Sequence, residues 1–361
     1  MNLNKAMNLF EQFERLGREE DFEEAIQHAR SALLETASSK SLYVGKLNLL
    51  GVSLKARWFF NRAPGGLEEA IGLFTKAVEV TPNNDPNLIS YLSNLRSSLE
   101  GRYDLFRHRG DLEDAIWLSR KVIRATPASH PKLGSRLSNL GSQLERRYKH
   151  TDNINDLEET TRVLHQAVDA TPANDSNLST YLANLIDSLE SRYYRREVIS
   201  DLECAIRLSR KAVKVLPVDH PDFSGWLNNL AVKLKARYNR INELEDLEQA
   251  IQLSRQAIAV TSDGHHNRTA YFSNLVNQLG AQYKGTRNIF DLEEAVQKSR
   301  QAVEATPNVD PHLAARLHNL AIYLGMRYEC TNQPSDIEEA IQVFQKVIAN
   351  TPESHQILQL N

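Results

Sequence analysis

The sequence predicts an all-α repeat solenoid, and three observations carry that reading. One phrase recurs in register along the chain, each copy holds two stretches of helical apolar periodicity, and no segment shows the sustained alternation of a strand. The phrase reads DFEEAI from Asp21, GLEEAI from Gly66, DLEDAI from Asp111 and DLEETT from Asp156. It continues as DLECAI from Asp201, DLEQAI from Asp246, DLEEAV from Asp291 and DIEEAI from Asp336. Each copy starts 45 residues after the last, without insertion or deletion. A constant period means that every copy fits the same kind of neighbour, as stacked modules must. Residues 1–361 are therefore expected to form a single repeat domain.

The first helix of a copy is expected to begin at the aspartate. In the third copy Leu112, Ala115, Ile116, Val122 and Ile123 make one apolar stripe at helical spacing. Asp111 is a suitable N-cap, and Asp114 three residues on can complete a capping-box-like start. Pro127 after Thr126 stops the helix, because proline supplies no N–H to continue it. The second helix carries Leu133, Leu137, Leu140, Leu144 and Tyr148 on one face and ends in the polar stretch 149–155. With residues 3–16 supplying the first helix, about sixteen helices in about eight hairpins are expected.

Composition excludes several classes of function. The net charge of -3 lacks the basic surplus of a nucleic-acid or membrane-surface binder. No apolar run reaches the ~20 residues that span a bilayer. The polar N-terminus has no secretory core, so a cytoplasmic or nuclear protein is the expectation. Cys204 and Cys330 are too few and too distant for a disulfide framework or a metal site. There is no P-loop, dinucleotide fingerprint or metal-protease motif, so neither a cofactor nor catalysis is expected. His130, His220, His265 and His355 share one loop phase and are read as turn residues.

The repeat resembles the tetratricopeptide repeat. Leu47, Leu50, Gly51 and Leu54 keep the spacing of its W-x2-L-G-x2-Y segment, and Ala70, Phe74, Ala77 and Pro82 keep that of A-x3-F, the second small residue and the closing proline. Small residues recur at Ala115, Ala205, Ala250, Ala295 and Ala340, and again at Ala167, Ala212, Ala257 and Ala302. Serine often replaces the phenylalanine, as at Ser119, Ser209, Ser254 and Ser299. The unit is longer than the family's usual 34 or so residues. In this it is similar to kinesin-light-chain-type repeats and to fungal and bacterial arrays that accompany NB-ARC or CHAT domains. The resemblance implies a right-handed α-solenoid whose Leu-rich helices line a concave wall, and a protein-interaction scaffold. The alternative is a regulatory or sensor arm of a larger signalling protein. Residues 353–361, with Ile357, Leu358 and Leu360, read as the truncated start of a further helix. The apolar face there is expected either to continue into a longer protein or to be covered by a partner or a second copy.

Asn94, Asn139, Asn184, Asn229, Asn274 and Asn319 stand at one phase of the Leu-rich helix, each just before a core leucine. An asparagine ladder offers donors and acceptors that bracket the amides of an extended peptide. An intramolecular bond to a neighbouring helix is the competing reading. The family's carboxylate clamp is not expected, because Ser90, Ser135 and Thr180 stand where it needs lysines. Tyr91, Arg136, Tyr181, Trp226, Tyr271 and Arg316 form a second column, read either as partner contacts or as helix packing. Acids align at Glu100, Glu145 and Glu190, a row expected to be a solvated face. Arginine followed by tyrosine recurs at Arg102, Arg147, Arg192, Arg237 and Arg327, with Gln282 a variant. This pair is read as structural, its arginine able to reach the aspartate of the following helix.

Overall fold

The computed structural model describes residues 2–35, 39–61 and 64–350. The described residues form sixteen α-helices and no strand. The chain divides into two compact units, residues 1–188 and 189–361, with the division inside α9. Unit 1 holds α1 (Asn2–Leu16), α2 (Glu19–Leu34), α3 (Lys40–Asn61), α4 (Pro64–Val80), α5 (Leu88–Phe106), α6 (Arg109–Arg124), α7 (Leu133–Thr151), α8 (Ile154–Asp169) and the start of α9 (Leu178–Arg196). Unit 2 holds the rest of α9, then α10 (Ile199–Val215), α11 (Phe223–Ile241), α12 (Leu244–Val260), α13 (Arg268–Thr286), α14 (Ile289–Glu304), α15 (Leu313–Thr331) and α16 (Pro334–Asn350). The even-numbered helices start at 45-residue intervals from Glu19 to Pro334, as the repeated phrase requires.

The length of the unit lies in the helices and in the loop that joins one hairpin to the next, such as residues 125–132, and not in the turn inside a hairpin. From α5 onward every Leu-rich helix has 19 residues. Two residues, such as Arg107 and His108, join it to its partner. The first of them is left-handed each time: Arg107, Asp152, Glu197, Asn242, Arg287 and Asn332 have φ between 51° and 60°. None is glycine, although this conformation costs an ordinary residue about 1–2 kcal/mol. The N–H at this position donates to the tyrosine carbonyl four residues back, 2.8 Å in the case of Arg107 and Tyr103. That bond closes the helix end and turns the chain at once.

The N-cap assignment is corrected. Asp111 is the third residue of α6, and His108 is its N-cap. The Asp111 carboxylate takes no backbone amide and instead receives Arg102 in a fork, Nε to Oδ2 at 2.9 Å and Nη2 to Oδ1 at 2.6 Å. The same fork joins Arg147 to Asp156, Arg192 to Asp201, Arg237 to Asp246 and Arg327 to Asp336. The arginine thus reaches the aspartate as the sequence suggests, and a bidentate guanidinium displaces a capping role.

Thr81, Thr126, Thr171, Thr261 and Thr306 close the even helices, each hydroxyl donating to the carbonyl four residues back at 2.5–2.6 Å. In the loops that follow, His130, His220 and His265 accept the amide two residues on through Nδ1, at 3.0, 3.1 and 3.2 Å. Asp85, Asp175 and Asp310 do the same through Oδ1, which makes these histidines turn residues. His355 and residues 353–361 lie outside the described residues.

Side-chain size is complementary across several of the hairpins. Phe74 packs on Gly51, where an added Cβ would stand 2.7 Å from the ring, and Leu164 packs on Gly141 in the same way at 2.6 Å. Where serine replaces the large residue, at Ser209 and Ser299, the glycine position carries Ile186 or Val276, and both are buried. At these four pairs a small residue meets a large one, which keeps the core close-packed, whereas Ala231 and Ser254 at the same spacing are both small and both buried. Among the described residues no helix is long and apolar enough to cross a membrane.

Candidate functional site

In unit 1 the Leu-rich helices lie side by side, α3 in contact with both α1 and α5. Polar bridges join successive members of this wall. Lys55 Nζ of α3 donates to Ser97 Oγ of α5 at 3.1 Å, and burial holds that lysine below its ordinary range. Arg146 of α7 donates to Asp104 of α5 at 2.9 Å. The even helices carry a separate ladder, Arg30 to Glu69 and Arg120 to Glu159 in unit 1, Arg255 to Glu294 and Arg300 to Glu339 in unit 2.

The asparagine column divides in two. Asn94 Nδ2 donates to Asn48 Oδ1 at 2.9 Å, Asn184 Nδ2 to Ser138 Oγ at 3.3 Å, and Asn274 Nδ2 to Asn228 Oδ1 at 2.9 Å. Each of these reaches 46 residues back, to the preceding Leu-rich helix of its own unit. Asn139 and Asn229 are exposed, and among the described residues their side chains make no hydrogen bond. Asn319 is half-buried and likewise unbonded.

The aromatic column is interior. Tyr91, Tyr181, Trp226 and Tyr271 are 8, 8, 9 and 4 % exposed, which leaves little ring surface for a partner. Burial pushes the phenols of Tyr91 and Tyr181 up. The alternating arginines act inward too, Arg136 and Arg316 donating to Thr126 Oγ1 and Thr306 Oγ1 at 2.5 and 2.8 Å. The acidic row is not a bare charged face. Glu100 receives Arg96 at 2.6 Å and Gln143 Nε2 at 2.5 Å, Glu190 pairs with Lys233 at 2.9 Å, and Glu145 pairs with Lys149 at 2.7 Å.

These elements converge on a cavity of ≈ 580 Å³ between α3, α5 and α7. Phe59 and Leu105 supply apolar surface, 53 % and 42 % exposed. Trp58 is buried beneath Gly101, where a Cβ would press on the indole at 3.0 Å, so glycine is what lets α5 approach there. The polar rim consists of Glu100, Asp104, Arg146, Asn139 and Ser142. Its charged members are already paired with one another or with neighbours. The groups left to bind something else are the Asn139 amide and the Ser142 hydroxyl, which make no internal side-chain hydrogen bond among the described residues. Sequence reading named Asn139 on this wall and did not name Phe59 or Leu105, whose apolar character blends with the core stripe of the same helices.

No family model matches the sequence, and no curated protein matches it either. Solved structures share the architecture. The C-terminal part of a TPR repeat-containing protein from Cytophaga hutchinsonii aligns with a TM-score of 0.56 at 14 % identity, over 84 % of this chain and 99 % of that one. A putative kinesin light chain from Podosopora anserina, with nearly identical TPR-like repeats, aligns over 60 % of this chain and 98 % of its own, at 20 % identity and a TM-score of 0.43. By its 45-residue hairpin register and its likeness to the Cytophaga structure, the chain is an all-α repeat solenoid with the tetratricopeptide-repeat fold.

Proposed function

We propose that this chain is a non-catalytic protein-interaction scaffold, and that the Leu-rich wall of unit 1 takes an extended peptide segment of a partner. The observation that carries this reading is the pairing, in one cavity, of an uncommitted asparagine amide with exposed apolar surface. Asn139 would bracket a main-chain amide, since its side chain both donates and accepts. Phe59 and Leu105 would cover one apolar side chain. The rim charges are internally compensated, so the segment should be neutral or weakly charged, with affinity drawn from main-chain bonds and one buried anchor.

The test selects peptides from a displayed random library on the folded chain and measures their affinities calorimetrically. Asn139→Ala and Phe59→Ala should each weaken the selected peptides about tenfold, in the range of a lost hydrogen bond or buried contact. Asn184→Ala, which removes an internal bond, should lower thermal stability and leave affinity unchanged. Peptides that bind wild type, N139A and F59A equally well would place the binding surface elsewhere.

A further inference from the structure

The ladder on the even helices fails at one place in unit 2. At the other rungs described above an arginine faces a glutamate 39 residues on, at 2.5–2.6 Å. At α10 the arginine is Arg210, and its partner is Gln249, reached by Nη2 at 2.8 Å. The acid is also missing one position earlier in the same column. Where six copies have Glu24, Glu69, Asp114, Glu159, Glu294 and Glu339, α10 has Cys204. Arg207 Nη2 accordingly rests on Cys204 Sγ at 3.2 Å.

The cations have not been lost with the acids. Arg207, Arg210, Lys211 and Lys214 lie at helical spacing along one face of α10 and are all exposed. Among the described residues Lys211 and Lys214 have no ion pair and no side-chain hydrogen bond. The four line a cavity of ≈ 620 Å³ together with Val215 and Arg237. Arg237 is committed to Asp246, and Glu203 is the one carboxylate on the rim. On the neighbouring α12, Gln249, Gln252 and Gln256 face a cavity that also takes in Arg210, and Gln249 Nε2 donates to Glu245 at 2.9 Å, so the surface continues in amides with one acid beside them.

We infer that this face of α10 is a second docking site, for an acidic peptide segment of a partner protein. The exposed charge is concentrated, and the chain around it is net negative at -3, so the attraction is local to this face. Arg207 and Lys214 are two helical turns apart, about 10 Å, which is the reach of three residues of extended chain. Two carboxylates separated by that interval would meet both ends of the cluster, with an apolar side chain just beyond the Lys214 end on Val215. A nucleic acid would need a basic track that continues beyond one helix, and α12 presents glutamines there. The site uses no residue of the unit 1 cavity.

The test is fluorescence anisotropy on the full chain with a labelled glutamate-rich peptide containing one valine. Comparators are the same peptide with glutamine for glutamate, a single-stranded oligothymidylate and phosphatidylserine vesicles. The glutamate peptide should bind at least about tenfold tighter than its glutamine counterpart, and the difference should shrink as salt is raised. Lys211→Gln with Lys214→Gln should weaken it about tenfold. Gln249→Glu, which restores the missing rung and engages Arg210, should weaken it about threefold. All three positions are polar, so a retained helical signal and melting curve confirm folding, and N139A should have no effect. Equal binding of the two peptides, indifference to K211Q/K214Q and to Q249E, or preference for the oligonucleotide or the vesicles would each overturn the proposal.

Discussion

Asp291 shows what the recurring arginine does. Its copy has Gln282 in place of arginine, so the buried carboxylate is left with Thr286 Oγ1 at 3.3 Å, and burial pushes its pKa up. Asp336 keeps Arg327, and that guanidinium holds it down. The two therefore act on stability with opposite sign. Asp336 stabilises the fold above the unfolded carboxylate pKa, and the contribution disappears as pH falls through its lowered folded value. Asp291 weakens the fold at neutral pH, and the penalty is relieved as pH falls through its raised folded value. Gln282→Arg should supply the missing fork and stabilise the chain by about 1–2 kcal/mol at neutral pH. Denaturant melts should show that gain shrinking once the medium is acid enough to protonate the carboxylate. A gain independent of pH would mean that packing and not the ion pair is responsible.

Helix pairing was legible in the sequence wherever the signal was periodic and short-ranged. The 45-residue phrase, the alanine columns and the arginine that reaches its aspartate nine residues on were all readable. The N-cap was not, because the caps His108, Val198 and Glu243 carry no capping side-chain bond, and the conspicuous aspartate stands three residues inside the helix. The left-handed turn was missed because arginine, glutamate and aspartate occupy it as well as asparagine. The division of the asparagine column was hidden for another reason. Asn94 and Asn184 bond to the residue 46 before each of them, Asn48 and Ser138, whereas Asn139 makes no bond to Ser93 at the same spacing, a difference that the spacing itself does not carry. Size complementarity within a hairpin gives a direct test. Gly141→Ala puts a methyl against Leu164 and should cost about 1–3 kcal/mol. Adding Leu164→Ser, which imitates the Ala231 and Ser254 pairing, should recover part of that loss in a double-mutant cycle. Additive losses would deny that the two positions share one space.

Stacked repeats draw stability from their own hairpin and its neighbours, so damage should stay local. Arg147→Gln leaves Asp156 buried beside α7 without its fork and should destabilise that region by about 2–4 kcal/mol. Hydrogen exchange should quicken in α7 and α8 and remain unchanged in α14 to α16; a uniform rise would indicate a single cooperative block. The two interaction surfaces proposed for the chain belong to different units, the Leu-rich wall to unit 1 and α10 to unit 2. The most direct measurement for the first is hydrogen exchange with and without a selected peptide. Protection should concentrate in the C-terminal halves of α3 and α5 and in the middle of α7, around Phe59, Leu105 and Asn139. Protection confined to the even helices, or absent at saturating peptide, would contradict the assignment of that wall as the binding surface.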